Sequence, residues 1–139
     1  MGQLQYYSDK TGQFESEGDP GIVYPSINQY RFDQVVLLVD QFCFSACELE
    51  AYGFSQVPGI TVMGQYPTAG VEAETARGDF VLPEGIELTV PTGRFILPDG
   101  SIFLEGTGVQ PSIVIPITEE NVLAEDDAVL KAAEEEMLK

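Results

Sequence analysis

The sequence predicts an α/β chain: a parallel βαβ unit, then antiparallel hairpins, then a C-terminal helix. Three observations carry this. Residues 34–40 contain VVLLVD, a continuous valine-rich run without alternation, the pattern of a strand buried on both faces. Residues 45–56 have helical spacing and Ile60–Gly64 reads as a second strand, so the three segments form a crossover that implies parallel pairing. Beyond Val71, short apolar runs are cut by closely spaced Pro- and Gly-containing turns, which indicates hairpins.

Taken in order, residues 1–33 form a polar lead-in with turn signals at Asp9-Lys10-Thr11-Gly12 and Gly18-Asp19-Pro20-Gly21. Leu4 to Tyr7 reads there as an edge strand. Residues 34–116 form the core. In its helix, Ala46, Leu49 and Gly53, with Cys47, Ala51 and Phe54, are expected to line adjacent apolar faces, and Pro58-Gly59 stops it. The hairpin runs are 79–82, 86–90, 94–97, 101–104 and 112–115. Residues 117–139 form an acidic segment and a helix over 126–138, capped by Glu125 or Asp126, with Val129, Leu130, Ala133 and Met137 as its apolar stripe. One βαβ unit cannot cover both faces of VVLLVD, which implies a further layer from upstream chain or from a second copy.

The chain has 139 residues, the size of one domain or a large piece of one. Its formal net charge of −17 excludes nucleic acid and anionic membrane surfaces as partners, because binding a polyanion needs basic residues to displace counterions. No apolar run approaches the roughly 20 residues of a membrane helix. The N-terminus lacks a basic region followed by an apolar core, so no signal peptide is expected. With no histidine and only two cysteines, no metal-ligand set and no cofactor site is expected, and the compartment stays open. Cys43 and Cys47 lie on either side of a turn. A helix beginning at Ser45 would strain a bridge between them, which favours buried free thiols over a disulfide.

Ser45 sits where the turn becomes the helix. Ser45-Ala46-Cys47-Glu48 matches the capping box, in which the serine oxygen and the glutamate carboxylate satisfy orphan N–H groups. The same position suits a nucleophile, with the Ala46 N–H and the positive end of the helix dipole facing a developing oxyanion. A serine hydroxyl needs a base, however, and Lys10, Lys131 and Lys139 lie in the polar ends. Glu72 and Glu74 read as exposed hairpin charges, and Arg77 and Arg94 as partners in surface ion pairs.

The stretch VVLLVDQFCFSACELEAYGFSQVPGITVMGQYPTAG resembles the carboxy-terminal processing (tail-specific) serine peptidases. In that family a valine-rich strand leads to S-A-S-A-S-E, a helix, a strand ending in V-G and a P-T-containing turn. The motif here reads Cys43-Phe44-Ser45-Ala46-Cys47-Glu48. The resemblance places the nucleophile on Ser45 and an oxyanion N–H on Ala46. It continues through LTVPTGRFILPDGSIFLEGTGVQPSIVIP, where Gly106, Gly108 and Pro111 fit and Ser112 replaces the usual aspartate. The lysine base of the tail-specific branch is missing from the turn Pro67-Thr68-Ala69-Gly70-Val71-Glu72. That turn is similar to the branch holding the tricorn core protease and the interphotoreceptor retinoid-binding proteins, where a histidine from the earlier half of the domain is the base. A glutamate that supports that histidine would fall on Glu105.

The resemblance thus implies the C-terminal part of a serine endopeptidase domain with a ClpP/crotonase-like core. It would act on a protein or peptide substrate by an acyl-enzyme mechanism. The missing upstream half would carry the base, so this chain alone would be inactive. The alternatives are a non-catalytic peptide- or ligand-binding module of the same fold and an assembly domain completed as a homo-oligomer.

Overall fold

The computed structural model describes residues 2–22, 24, 26, 27 and 30–139. The fold is α/β with C-terminal helices, and it divides into two compact units between which the chain alternates. The first holds residues 1–29 and 72–105; the second holds 30–71 and 106–139. The 34–116 core expected from sequence is thus shared between both.

The second unit is built on a parallel sheet. Strands β3 (Val35–Leu38), β4 (Ile60–Gly64) and β8 (Ile113–Val114) lie in the order β3-β4-β8. Val35 pairs with Ile60 and Leu38 with Met63, and α1 (Ala46–Ser55) forms the expected crossover. Val39, Ala51, Val62, Met63, Val109 and Ala133 are among its buried apolar side chains. Three expectations change here. VVLLVD is half-buried rather than enclosed, because among the described residues β3 pairs only with β4, at the edge of its sheet. The run 112–115 is not a hairpin strand but joins β4 in parallel, Met63 opposite Ile113. The buried face of α1 is Glu48, Ala51 and half-buried Ser55, whereas Leu49, Gly53 and Phe54 are exposed.

The C-terminal region holds two helices, α2 (Glu119–Leu123) and α3 (Ala128–Glu136). Asp127, not Glu125 or Asp126, caps α3; its Oδ1 accepts from the N–H groups of Val129 and Leu130 at 2.8 and 3.1 Å. Ala133 is buried and Val129 half-buried, but Leu130 and Met137 of the predicted stripe are exposed. Gln34 ties β3 to this helix, its Nε2 donating to the Glu136 carbonyl at 3.1 Å.

The first unit is antiparallel. Strands β1 (Gln3–Ser8), β2 (Gln13–Ser16) and β7 (Gly93–Ile96) form a sheet in the order β2-β1-β7, and β5 (Asp79–Val81) pairs with β6 (Glu87–Thr89) as a hairpin. β1 is therefore the central strand of its sheet, not an edge, with Gln3 opposite Ile96. The run 101–104 forms no strand; Ile102 makes a single bridge to Ile96. Arg77 lies 3.9 Å over the Tyr6 ring and pairs with Glu17; Arg94 stacks on Phe14 and donates to Gln5. Burial pushes the Tyr6 hydroxyl up from the ordinary tyrosine range, and Glu74 adds to the rise. Among the described residues no helix is long and apolar enough to cross a membrane.

Candidate active site

The end of β3 leads into a short connection fixed by local hydrogen bonds. The Val39 N–H donates to the Met63 carbonyl at 2.9 Å, continuing the pairing with β4. Asp40 Oδ1 accepts from the Phe42 N–H at 2.8 Å, a side-chain-stabilised turn. The Cys43 carbonyl accepts from the Ala69 N–H at 2.8 Å, and the Ser45 N–H donates to the Val71 carbonyl at 3.1 Å. The Cys47 N–H donates back to the Phe44 carbonyl at 3.2 Å. Between them Ser45 has φ 53° and ψ −123°, the values of the first central residue of a type II′ turn. Glycine takes these angles freely. A residue with a β-carbon is strained there by about 1–3 kcal/mol and stays only when its surroundings hold it.

The capping box is therefore not formed. Ser45 occupies the N-cap position, but its side chain makes no capping bond. Ser45 is exposed instead, at the N-terminus of α1. Among the described residues the Ala46 N–H has no acceptor. Phe42 and Phe44, on the same connection, are exposed.

Glu48 has a different task from the one its spacing suggests. It is 0% exposed and accepts three hydrogen bonds: from Thr68 Oγ1 at 2.5 Å, Gly70 N–H at 2.8 Å and Val71 N–H at 2.7 Å. These bonds fix residues 68–71, the segment whose Val71 carbonyl receives the Ser45 N–H. Thr68, also buried, relays the constraint: its Oγ1 accepts from the Val109 N–H at 2.7 Å, and its own N–H donates to the Val109 carbonyl at 3.1 Å. Gly70 and Gly108 allow this approach. Both have positive φ, and a β-carbon on Gly108 would lie 2.3 Å from the Thr68 carbonyl oxygen. Ser112 serves the same unit, holding β4 through Oγ bonds with the Val62 N–H and carbonyl.

The two cysteines are joined, against the expectation of free thiols. Their Cα atoms are 5.3 Å apart, an ordinary bridging distance. It is reached because α1 begins at Ala46: Cys43 still belongs to the connection and the reversal at Ser45 brings it back over the first helical turn. Both cysteines line an open cavity of about 520 Å³ at the C-terminal end of β3, together with Asp40, Gln41, Tyr66 and Asp127.

Glu105 falls in the first unit, whereas Ser45 and Ala46 fall in the second. Its Oε2 accepts from the Glu72 and Ala73 N–H groups at 2.8 and 2.7 Å, and it follows Leu104, which has φ 52°. Glu72 is buried, not an exposed hairpin charge, and Glu74 is half-buried with Oε1 accepting from the Ala76 N–H. Among the described residues no three His, Cys, Asp or Glu side chains are grouped to hold a metal ion. Sequence reasoning missed Glu48 and Thr68 as the anchors of the serine turn. The available signal was helical periodicity, which puts Glu48 three residues before Ala51 on one face.

No curated protein sequence matches the chain. Solved structures do. A "putative peptidase" from Parabacteroides merdae ATCC 43184 superposes with a TM-score of 0.72 at 20% identity, covering 99% of this chain and 42% of the other. Mature CPAF complexed with lactacystin gives 0.53 at 20% identity, over 64% of this chain and 17% of the other. A lipoprotein from Streptococcus agalactiae gives 0.52 at 20% identity, over 99% and 44%. The chain thus spans less than half the length of each of these proteins, and at this identity they share its fold. The profile of peptidase family S41 matches residues 2–115, and with most of its length matched the chain belongs to that family of serine peptidases.

Proposed function

We propose that this chain carries the nucleophile side of a serine endopeptidase centre of the carboxy-terminal processing type, in the branch without the lysine base, like tricorn and the interphotoreceptor retinoid-binding proteins. The observation that carries this reading is Ser45 itself. It is exposed, held at positive φ at a strand-to-helix turn and released from capping duty, while a buried glutamate fixes the turn beside it. Strain of this kind is kept where a side chain must be presented.

In the full-length protein Ser45 Oγ attacks the scissile carbonyl carbon and gives its proton to a base. The base then protonates the leaving amine. Water, deprotonated by the same base, attacks the resulting ester and restores Ser45. The Ala46 N–H, at the positive end of α1, stabilises the oxyanion in both steps. With no histidine in the 139 residues, the base comes from elsewhere in the protein, and the resemblance assigns its support to Glu105. The chain is then the C-terminal part of a catalytic domain with a ClpP/crotonase-like core.

The test is active-site labelling. Full-length protein is expected to react with a fluorophosphonate, and the Ser45→Ala variant to lose the label completely. Undiminished labelling of Ser45→Ala rules out the assignment. No labelling of the wild type, with peptide affinity equal in wild type and Ser45→Ala, favours a non-catalytic binding module.

A further inference from the structure

We infer that the Cys43–Cys47 disulfide is a thiol-labile clamp that holds Ser45 in its presenting conformation, so that a dithiol reductant reversibly switches the serine off. The switching rests on Ser45 being the reacting group; the clamp does not. Two observations support it.

The bridge closes a five-residue ring with Ser45 at its centre, and Ser45 is one of three non-glycine described residues at positive φ. Without the bridge, the strained turn is held by backbone bonds, among them Ser45 to Val71, Ala69 to Cys43, Cys47 to Phe44 and, from the Glu48 and Leu49 N–H groups, to the Ser45 carbonyl. A conformation disfavoured by its own β-carbon then relaxes toward ordinary angles, and the hydroxyl moves away from the Ala46 N–H direction.

The bridge is also reachable. Cys43 is 8% exposed, but Cys47 is exposed, and both face the open cavity beside Asp40 and Asp127. A thiolate of the dithiol attacks Cys47 Sγ; the S–S bond breaks and Cys43 Sγ leaves as a thiolate and takes up a proton. The second thiol of the reductant attacks the mixed disulfide, releasing Cys47 as a thiol and the reductant as its cyclic disulfide. Two electrons pass from the dithiol to the bridge. The two aspartates disfavour an anionic monothiol such as glutathione at the same rim.

The experiment uses full-length protein, oxidised or treated with dithiothreitol, with reduction verified by alkylation of Cys43 and Cys47. Two quantities are read: the rate of fluorophosphonate labelling and amide hydrogen exchange across residues 43–48. Reduction is expected to slow labelling about tenfold or more and to speed exchange by a similar factor, as loss of a hold on a strained turn requires. Reoxidation restores both. The double variant Cys43→Ser, Cys47→Ser should label at one rate whatever the reductant. Unchanged exchange on verified reduction overturns the clamp, whatever the labelling does. Faster exchange with unchanged labelling overturns the switch. Absence of labelling in the oxidised protein overturns the nucleophile assignment and the switch with it, while faster exchange still upholds the clamp.

Discussion

At the scale of residues, the strain at Ser45 and the buried anchor Glu48 make opposite predictions. Ser45→Gly removes the β-carbon that makes φ 53° unfavourable, less the extra entropy of a glycine in the unfolded chain. The net gain should be roughly 1 kcal/mol, visible as a rise in melting temperature of about 4 °C. Ser45→Ala keeps the β-carbon and should melt like the wild type, although both variants lose the proposed nucleophile. Equal melting of the glycine and alanine variants would remove strain from the account. Glu48→Gln does the reverse. One of its carboxylate oxygens becomes an amide nitrogen that cannot accept, leaving either the Gly70 N–H, held by Oε1, or the Val71 N–H, held by Oε2, without its acceptor. A buried donor without a partner costs about 1–3 kcal/mol, so the urea midpoint should fall by that equivalent with little change in slope. A midpoint unchanged from wild type would mean that residues 68–71 hold themselves.

At the scale of elements, the caps and faces of the helices decide what can be tested and what could be read. Asp127→Ala removes the acceptor for two N–H groups of α3 and should cost about 1 kcal/mol in a denaturant titration; no loss would show that α3 is held by packing and the Gln34 bond alone. The elements with strong local signals were legible in the sequence. β4 follows Pro58-Gly59 and has the predicted bounds, and α1 differs from its predicted span by one residue at each end. What was not legible depends on distant partners. Two strand residues, Ile113 and Val114, carry no mark of parallel or antiparallel pairing, and only their meeting with Met63 and Gly64 decides it. Nothing around Leu4 tells that residues some ninety positions later will flank it. The inner face of α1 was misread because its key member is a glutamate, and a polar side chain reads as solvent-facing until its three donors are known. The candidate nucleophile was legible as a position, through Ser45 at the strand-to-helix turn. The disulfide and the refusal of the capping box were not, because both follow from the backbone reversal at Ser45.

At the scale of the whole molecule, the 139 residues hold a nucleophile candidate without a histidine, so purified chain of this length should not hydrolyse peptides above a blank. Turnover that disappears in Ser45→Ala would place the base inside these residues after all. The chain also passes from the first unit to the second, back to the first and again to the second. Neither unit can therefore be cut out as one uninterrupted stretch of polypeptide. The consequence reaches into synthesis on the ribosome. β1 emerges just ahead of β2 and can pair with it at once, but an isolated two-stranded hairpin is marginal in water. Its other flank, β7, is translated some ninety residues later, a delay of roughly 5–20 s at ordinary elongation speeds. For that interval Leu4 and Tyr6 await their partners across an open strand edge, and nascent chains stalled before residue 93 should be the form most in need of a chaperone.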